Sequence, residues 1–209
     1  MSDRTAYIFG KGGHAHVIRS LLPHARIRFL VDADPSGDDL AQDAFFAAGP
    51  DRGGDYFIGI GDDAARRTYF DRLKNIGLTA ATCIAPAAWV AGDAAIGEGV
   101  FIGPGAVVNS RSRVGDNVIV NTLSSIDHDC DVGEDTQLTP GVTLGSHLVI
   151  GPRCFFGMKS CVLPRLEIGA GTTVMAGALV VRSAPAGVLL GGAPARIMRG
   201  AAAPSGSAG

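Results

Sequence analysis

A histidine between two aspartates is the clearest candidate for chemistry in this chain: Asp127, His128 and Asp129 stand together in the segment NTLSSIDHDCDVG, residues 121–133. An imidazole accepts a proton readily near pH 7, and a carboxylate beside it fixes its tautomer and stabilises the imidazolium. A base of this kind typically speeds a reaction by ~10²–10⁴-fold. The motif therefore makes His128 a candidate general base assisted by a neighbouring acid, and the role of Asp127 stays open. The alternative is an outward histidine that is only solvated or packed at an interface.

Glycine-rich turns mark a second candidate site near the N-terminus. The segment AYIF, residues 6–9, is typical of a buried strand and is followed by the turn GKGG and by helix-like spacing over residues 14–22. A second strand, residues 27–31, ends in Asp32, which is placed like a ribose-binding acid. The turn would let a phosphate approach backbone N–H groups at a helix N-terminus. This order predicts the opening of a nucleotide-binding α/β unit, although a tight turn without a ligand fits the glycines alone equally well.

The same unit has a third predicted strand. It lies in DYFIGIGDD, residues 55–63, and the loop at its C-terminal end falls where sheets of this kind bind ligands. His14 and His16, next to the first glycine turn, are either part of that site or ordinary helix residues without a role.

The element that must position His128 is a repeat with a period of six residues. From Leu78 to Val180 every sixth residue is apolar, without a slip in register, and all but one of them are aliphatic. Four residues after each, the side chain is mostly small or medium, and glycine often follows. Neither a helix nor an ordinary strand has this period, whereas a coil of short strands that stacks identical positions does. We therefore predict a hexapeptide β-helix in which Cys130 and Cys154, at the small-residue phase, serve packing.

The composition of the 209 residues limits the remaining classes of protein. With 46% hydrophobic residues the chain is globular, and its few aromatic residues favour a mainly aliphatic core. A net charge of −2 offers no basic surface for nucleic acid or anionic lipid. The four cysteines form no CxxC pair and no zinc spacing, so we expect reduced thiols and no metal site. Because the start of the chain lacks a signal peptide's apolar segment and no run reaches membrane-spanning length, we expect a cytoplasmic protein.

The repeat resembles that of the left-handed β-helix acyltransferases, the hexapeptide-repeat family, over roughly half of the chain. This resemblance implies three repeats per triangular coil and a homotrimer with active sites between subunits. The segments FGKGGHAHVI and IGIGDDAARR and the loop with Asp32 and Asp34 further resemble bacterial nucleotide-amino-sugar N-acetyltransferases. The enzymes that acetylate UDP-4-amino-4,6-dideoxy sugars on the bacillosamine route are the nearest match in these motifs. GDP-perosamine N-acetyltransferases and sialic acid O-acetyltransferases share the layout.

The resemblance implies an α/β N-terminal nucleotide-binding domain followed by a left-handed parallel β-helix of hexapeptide repeats. We accordingly predict a small Rossmann-like domain that binds the nucleotide sugar over residues 1–76, and the acetyltransferase β-helix over residues 77–185. A segment at the CoA-binding edge follows over residues 186–200. Residues 201–209 have no core-forming side chains and are expected to be disordered.

The resemblance also carries substrate-binding and catalytic roles over to this chain by position. His128 corresponds to the family's general base, Asp129 to the acid that assists it, and Asn121 to a position near the reacting sugar. Binding of the nucleotide falls to the first domain. The residues concerned are Gly12, Gly13 and His14 near the pyrophosphate, and Asp32, Asp34, Gly61 and Asp62 around the base and ribose.

The acetyl-CoA site departs from the family pattern at one position. A family member has a second histidine nine residues beyond the base, where this chain has Gln137, which donates a hydrogen bond but carries no charge. One coil of about eighteen residues leads from His128 to position 146, so we expect His147 to be out of phase, exposed and near the CoA path. Arg196 or Arg199 either binds a CoA phosphate or only solvates the C-terminal end. The backbone groups expected to meet the pantetheine amides are those of Gly141, Gly157 and Ala176.

Together these features predict an acetyl-CoA-dependent N-acetyltransferase acting on the 4-amino group of a nucleotide-linked amino-dideoxy sugar, by direct transfer without an acyl-enzyme. O-Acetylation of sialic acid or another sugar hydroxyl, and N-acetylation of GDP-perosamine, are the alternatives. A β-helix carbonic anhydrase is disfavoured because its zinc site needs three histidines and the repeat offers only His128 and His147. A nucleotide-sugar-binding trimer without chemistry is disfavoured by the intact pair of His128 and Asp129.

Overall fold

The chain folds into two compact units in this computed structural model. The first extends to residue 86 and includes residues 98–100, and the second comprises residues 87–97 and continues from residue 101. No helix in the part of the chain that the structure describes has the length and hydrophobicity of a membrane span. The described residues are 5–32, 35–37, 39–48 and 53–200, with side chains as far as Met198.

The first unit is built on a four-stranded parallel sheet. Its elements are β1 (Thr5–Phe9), α1 (Gly13–Ser20), β2 (Arg26–Val31), β3 (Leu40–Ala41), α2 (Gln42–Ala47), β4 (Asp55–Ile58), α3 (Asp63–Asn75) and β5 (Cys83–Ile84). The sheet has the order β3-β2-β1-β4, and every pair in it is parallel. The three strands and the first helix expected from the sequence are present. The pattern does not indicate β3, because a strand of two residues is too short to show a period of two.

Aromatic side chains fill the core of this unit. Phe9 and Phe45 are buried with their rings edge to face at 5.6 Å, and Tyr7 stacks on Tyr56 at 5.4 Å. Such ring pairs add about 0.5–1.5 kcal/mol beyond the burial of their area. The expectation of a mainly aliphatic core is therefore wrong for this unit, because most of the chain's aromatic residues are concentrated here.

The second unit is a left-handed parallel β-helix. The period of six predicted the β-helix, and the family resemblance implied its hand. Its short strands are β6 (Trp89–Val90), β7 (Ala95–Ile96), β8 (Phe101–Ile102), β9 (Val107–Val108), β10 (Arg113–Val114), β11 (Ile119–Val120), β12 (Ser125–Ile126), β13 (Asp131–Val132), β14 (Gln137–Leu138), β15 (Thr143–Leu144), β16 (Val149–Ile150), β17 (Phe155–Phe156), β18 (Cys161–Val162), β19 (Glu167–Ile168), β20 (Thr173–Val174) and β21 (Leu179–Val180). Strands three apart in chain order pair in parallel, so each residue lies beside the one 18 positions away, as Ser125 lies beside Thr143. The three faces follow the orders β7-β10-β13-β16-β19, β6-β9-β12-β15-β18-β21 and β8-β11-β14-β17-β20.

The apolar column of the repeat forms the interior of the coil. From Ile102 to Val180 the second residue of every strand is buried, whereas Val90 and Ile96 in the first coil are partly exposed. A terminal coil has a neighbouring coil on one side only, which accounts for the difference. At the small-residue phase the side chains turn into the corners, and Cys130 and Cys154 are buried there as expected.

The corners of the coil hold many residues other than glycine in the left-handed region. Among the described residues, nine non-glycine residues have φ between 56° and 65°. This conformation costs an L-residue roughly 1–2 kcal/mol, so the stacked coils must impose it. Arg111, Asp129 and His147 are three of the nine, each 18 residues from the next. The corner therefore stacks these three residues in one column.

A hairpin closes the β-helix at its C-terminal end. Strand β22 (Val188–Gly192) pairs in parallel with β20 and antiparallel with β23 (Ala195–Gly200). The expected C-terminal segment, residues 186–200, therefore has regular structure of its own. The predicted tail, residues 201–209, lies outside the described residues.

Candidate active site

His128 lies at an outer corner of the coil, in the turn between β12 and β13. Ile126 and Cys130 on either side of this turn are buried in the coil, so the three residues between them face outward. The side chain of His128 is 43% exposed. The corner thus presents the imidazole to solvent on a rigid frame, as the repeat predicted.

Asp129 holds the imidazole by one ring nitrogen. Nδ1 of His128 lies 2.6 Å from Oδ2 of Asp129. An ionised carboxylate only accepts hydrogen bonds, so in the neutral imidazole Nδ1 carries the proton and Nε2 keeps its lone pair. This is the tautomer that a general base requires, with its accepting nitrogen facing away from the aspartate.

Arg111, from the preceding coil, binds both carboxylate oxygens of Asp129. Its Nε donates to Oδ1 at 2.6 Å and its Nη2 donates to Oδ2 at 2.7 Å, a bidentate pair. The Arg111 guanidinium, followed by the hydrogen bond from His128, holds the pKa of the Asp129 carboxyl well below its usual range. The carboxylate is therefore ionised throughout the pH range in which an imidazole titrates. Arg111 was not among the site residues expected from the sequence. It lies 18 residues, or one coil, before Asp129, so counting by coils would have led to it.

Asp127, whose role was left open, holds the backbone of His128. Its Oδ1 accepts from the backbone N–H of His128 at 2.8 Å and from Nδ2 of Asn109 at 3.1 Å. Asn109 is again 18 residues earlier. Both acids of the motif are thus tied to the preceding coil, one fixing the backbone and the other fixing the ring.

His147 is exposed and out of phase with His128 by one residue, as expected, and its ring lies beside that of His128. It is one coil beyond Asp129, not His128, and its ring meets the ring of His128 edge to face at 5.2 Å. Its Nε2 is 3.7 Å from Oδ2 of Asp129. Two histidines therefore face the same carboxylate, and only His128 is within hydrogen-bonding distance.

A cavity of about 410 Å³ opens in front of His128. It is lined by Asn109, Ser110, Arg111 and His128, so three of its four residues come from the preceding coil. The asparagine in this cavity is Asn109 and not the predicted Asn121, whose Oδ1 accepts from the backbone N–H of Thr122 at 2.8 Å. A space of this size beside His128 can hold a small group that gives up a proton to the imidazole.

The side chains grouped at this corner include three that can ligate a metal ion: His128, Asp129 and His147. One ligand atom from each falls within 4.8 Å of the others, a spacing that a transition metal can use. Both oxygens of Asp129, however, already accept from Arg111, and the guanidinium places a positive charge where a cation would bind. The donor set therefore fits proton transfer better than metal binding.

The glycine turn of the first unit leads directly into α1. Gly12 is the N-cap and Gly13 the first helical residue, and a side chain at either would have open space around it. Packing therefore does not require glycine here, whereas close approach of a ligand to the helix N-terminus would. His14 follows, and burial, together with the charge of Arg66, lowers its pKa to about 4.

Two of the acids predicted to surround the base and ribose, Asp32 and Asp62, lie near the C-terminal ends of strands. Asp32 accepts from the Tyr69 hydroxyl at 2.9 Å. Asp62 caps α3 by accepting from the backbone N–H of Ala65 at 2.8 Å, so helix capping already explains it. Gly61 precedes this cap. The third predicted acid, Asp34, lies outside the described residues.

The residues predicted to bind acetyl-CoA lie at several corners and edges of the coil. The backbone N–H groups of Gly141 and Gly157 already donate to the carbonyls of Thr122 and Val174, and the carbonyl of Gly157 accepts from the N–H of Ser160. The other predicted residues are placed as follows: Gln137 begins β14, Ala176 is exposed at the corner after β20, Arg196 is exposed on β23, and the side chain of Arg199 lies outside the description.

Comparison with known proteins by sequence points to sugar acetylation. No family model matches the chain. A GDP-perosamine N-acetyltransferase of Escherichia coli O157:H7 is 29% identical over 150 residues, which is 69% of this chain and 68% of that protein. A UDP-3-O-acylglucosamine N-acyltransferase of Caulobacter sp. (strain K31) is 30% identical over 106 residues, but the match spans only 31% of that protein.

Comparison with solved structures extends over both units of the chain. PerB from Caulobacter crescentus, solved with CoA and GDP-perosamine, has 32% sequence identity and a TM-score of 0.88, over 95% of this chain and 99% of that chain. The acetyltransferase domain of PglB from Neisseria gonorrhoeae FA1090 has 28% identity and a TM-score of 0.86, over 93% of this chain and all of that domain.

Proposed function

The chain belongs to the hexapeptide-repeat sugar acetyltransferases, and from this premise we propose that it transfers the acetyl group of acetyl-CoA to the amino group of a GDP-linked amino sugar. The observation that carries the proposal is the likeness to an enzyme crystallised with CoA and GDP-perosamine, which extends over nearly all of both chains. The relative from Escherichia coli O157:H7 supports the same nucleotide. The GDP-sugar alternative is therefore preferred to the UDP-sugar interpretation.

His128 would act as the general base. The amine nitrogen of the sugar attacks the thioester carbonyl, and Nε2 of His128 takes the proton that this nitrogen loses. The carbon–sulfur bond then breaks, the thiolate of CoA leaves, and the imidazolium returns the proton to it. Asp129 accepts from Nδ1 throughout and stabilises the imidazolium between the two steps.

Direct transfer of the acetyl group, without an acyl-enzyme, agrees with the burial of the cysteine nearest to His128. Cys130 lies two residues from His128, but its side chain is buried in the coil, and burial raises the pKa of its thiol. A buried neutral thiol is a poor nucleophile, so it does not offer an acyl-enzyme. The reaction then depends on holding both substrates together, which contributes through orientation.

The first unit would hold the nucleotide. We assign the pyrophosphate to the turn at Gly12 and Gly13, where backbone N–H groups at the start of α1 are open to a ligand. Asp32, at the end of β2, is assigned to the ribose. We assign acetyl-CoA to the coil corners near Gly141 and Ala176, with Arg196 as a phosphate ligand.

The test follows release of free thiol from acetyl-CoA with each candidate acceptor. GDP-perosamine should give rapid release, and UDP-2-acetamido-4-amino-2,4,6-trideoxyglucose and sialic acid should give little. An amide product survives hydroxylamine whereas an ester does not, so this treatment separates N- from O-acetylation. His128→Ala should remove turnover while His24→Ala, an exposed histidine of the first unit, should not. Equal turnover by His128→Ala and the unmodified protein would overturn the assignment of the base.

A further inference from the structure

We propose that Arg111 is a positioning residue that directs the carboxylate of Asp129 to His128 rather than to His147. The proposal deepens the proposed function and rests on it, because it concerns the same general base. Arg111 lies in neither the glycine turn nor the Asp-His-Asp motif. It lines the cavity beside His128, and its hydrogen bonds go to Asp129.

The geometry of the pair leaves the carboxylate one orientation. Nε and Nη2 of Arg111 lie in one plane and bind Oδ1 and Oδ2 of Asp129 at 2.6 and 2.7 Å. A fork of two parallel hydrogen bonds resists rotation of the carboxylate, which a single bond would permit. In this orientation Oδ2 lies 2.6 Å from Nδ1 of His128.

The restraint on the Asp129 carboxylate matters because His147 competes with His128 for it. Nε2 of His147 lies 3.7 Å from the same Oδ2, so a modest rotation of the Asp129 side chain would exchange one histidine for the other. Asp129 is at a corner and its side chain is 25% exposed, so packing alone does not hold it. Without Arg111 the carboxylate would divide its time between the two imidazoles, and Nδ1 of His128 would lose its acceptor for part of that time.

The charges around Arg111 favour the same arrangement. Asp129, through its hydrogen bond and its charge, raises the pKa of Arg111, and Asp93 on the preceding coil adds to this. Asp93 itself accepts from the Ser110 hydroxyl at 2.6 Å. A lysine at position 111 would supply the charge but only a point contact, so the proposal distinguishes the two cations.

The variants for the test are Arg111→Met, Arg111→Lys and, for chemical rescue, Arg111→Ala, with Arg165→Met as the matched control. Arg165 is exposed, occupies the same corner phase and has the same left-handed backbone, with φ of 65° against 58° for Arg111. Both methionine variants therefore carry the same backbone strain, and only one of them releases Asp129.

The first measurement is the tautomer of His128, read from the ¹⁵N chemical shifts of its ring nitrogens. The unmodified protein and Arg165→Met should show the proton on Nδ1, and Arg111→Met should show a mixture of tautomers. This readout does not require turnover, so it still decides the role of Arg111 if no tested sugar proves to be the substrate. An unchanged tautomer in Arg111→Met would overturn the proposal.

The second measurement is kinetic. Arg111→Met should lower kcat by about 10–100-fold, the range typical of residues that orient a group in direct contact with the reaction. The KM of Arg111→Met should change little. Arg111→Lys should recover only part of the rate. Added guanidinium should restore activity to Arg111→Ala. A raised KM with unchanged kcat would instead mean that Arg111 binds substrate. No activity in the unmodified protein with any acceptor would contradict the proposed function, and the tautomer measurement would remain valid.

Discussion

Single residues around His128 show how a corner of a repeat can become a site. Asp127 and Asp129 each accept from a residue 18 positions earlier, Asn109 and Arg111. The backbone and the ring of His128 are thus held separately, although the side chain itself is exposed. The motif Asp-His-Asp has a physical reason in this arrangement, because each acid restrains a different part of the base.

Replacing Asp129 by asparagine should impair catalysis more than folding. A neutral amide at this position can donate to Nδ1 and stabilise the wrong tautomer, so we expect kcat to fall by ~10²–10⁴-fold. Thiol release at saturating substrate measures the loss. Asp131→Asn, an exposed aspartate two residues on, is the control and should keep full activity. Near-normal turnover by Asp129→Asn would show that the imidazole needs no orienting acid.

The same variant has a defined pH signature in its stability. The pKa of Asp129 is lowered in the folded protein, so its favourable contribution is present above the ordinary value of 3.8 and is lost as the pH falls further. The difference in Tm between the unmodified protein and Asp129→Asn should therefore shrink as the pH falls below about 4.

Among the elements, helix α1 places a histidine where protonation opposes folding. Burial lowers the pKa of His14 from 6.5 to about 4, so the unfolded chain takes up this proton first as the pH falls. Stability should thus decrease from about pH 6.5 to about pH 4, by about 2 kcal/mol between pH 7 and pH 5.

Denaturation in urea, followed by circular dichroism at both pH values, tests this contribution. His14→Gln should remove most of the pH dependence, and His24→Gln, which changes an exposed histidine of the same unit, should retain it. Equal pH dependence in the two variants would assign the effect to another group.

Each residue of the apolar column packs between the coils above and below it and so contributes to the stability of the β-helix. Leu138 is fully buried at the second position of β14, so Leu138→Ala should lower the free energy of unfolding by about 2–5 kcal/mol. Val149→Ala, on the exposed side of β16, should change it by less than about 0.5 kcal/mol. Trp89 is the only tryptophan and lies in this unit, so its fluorescence reports the transition. A cost for Leu138→Ala no larger than that of the control would mean that this coil unfolds before the measured transition.

At the scale of the whole molecule, the β-helix unit exposes large apolar side chains. Trp89, Leu123 and Met158 are 64%, 70% and 58% exposed. Where such side chains adjoin one another they are typical of interaction surfaces. We therefore retain the homotrimer implied by the family resemblance as a proposal for this surface.

Sedimentation equilibrium tests the trimer. We expect a mass three times the 21.4 kDa of the chain, and Leu123→Lys should shift the equilibrium towards the monomer. Arg153→Glu, which changes an exposed charged residue at a different corner of the coil, serves as the control for altered surface charge. A monomer at all concentrations would contradict the proposal and place the whole site within one chain.

The sequence by itself determined the coil, its phase and the outward position of His128. A period of six that repeats over so many strands fixes which side chains point inward, so the outward position of His128 and the burial of Cys130 follow from counting. The contacts of His128 with residues of other coils could not be predicted in this way. Arg111 and Asn109 reach it across a coil, and His147 reaches it from the next, because side chains 18 residues apart touch only when the coils stack.

Counting in coils brings such residues to one corner but does not say which of them bond. Side-chain length, the left-handed backbone at the corner and the competition for one carboxylate decide that Arg111 takes both oxygens of Asp129 and that His128, not His147, shares them. These are properties of atoms in three dimensions, and only the tertiary structure contains them.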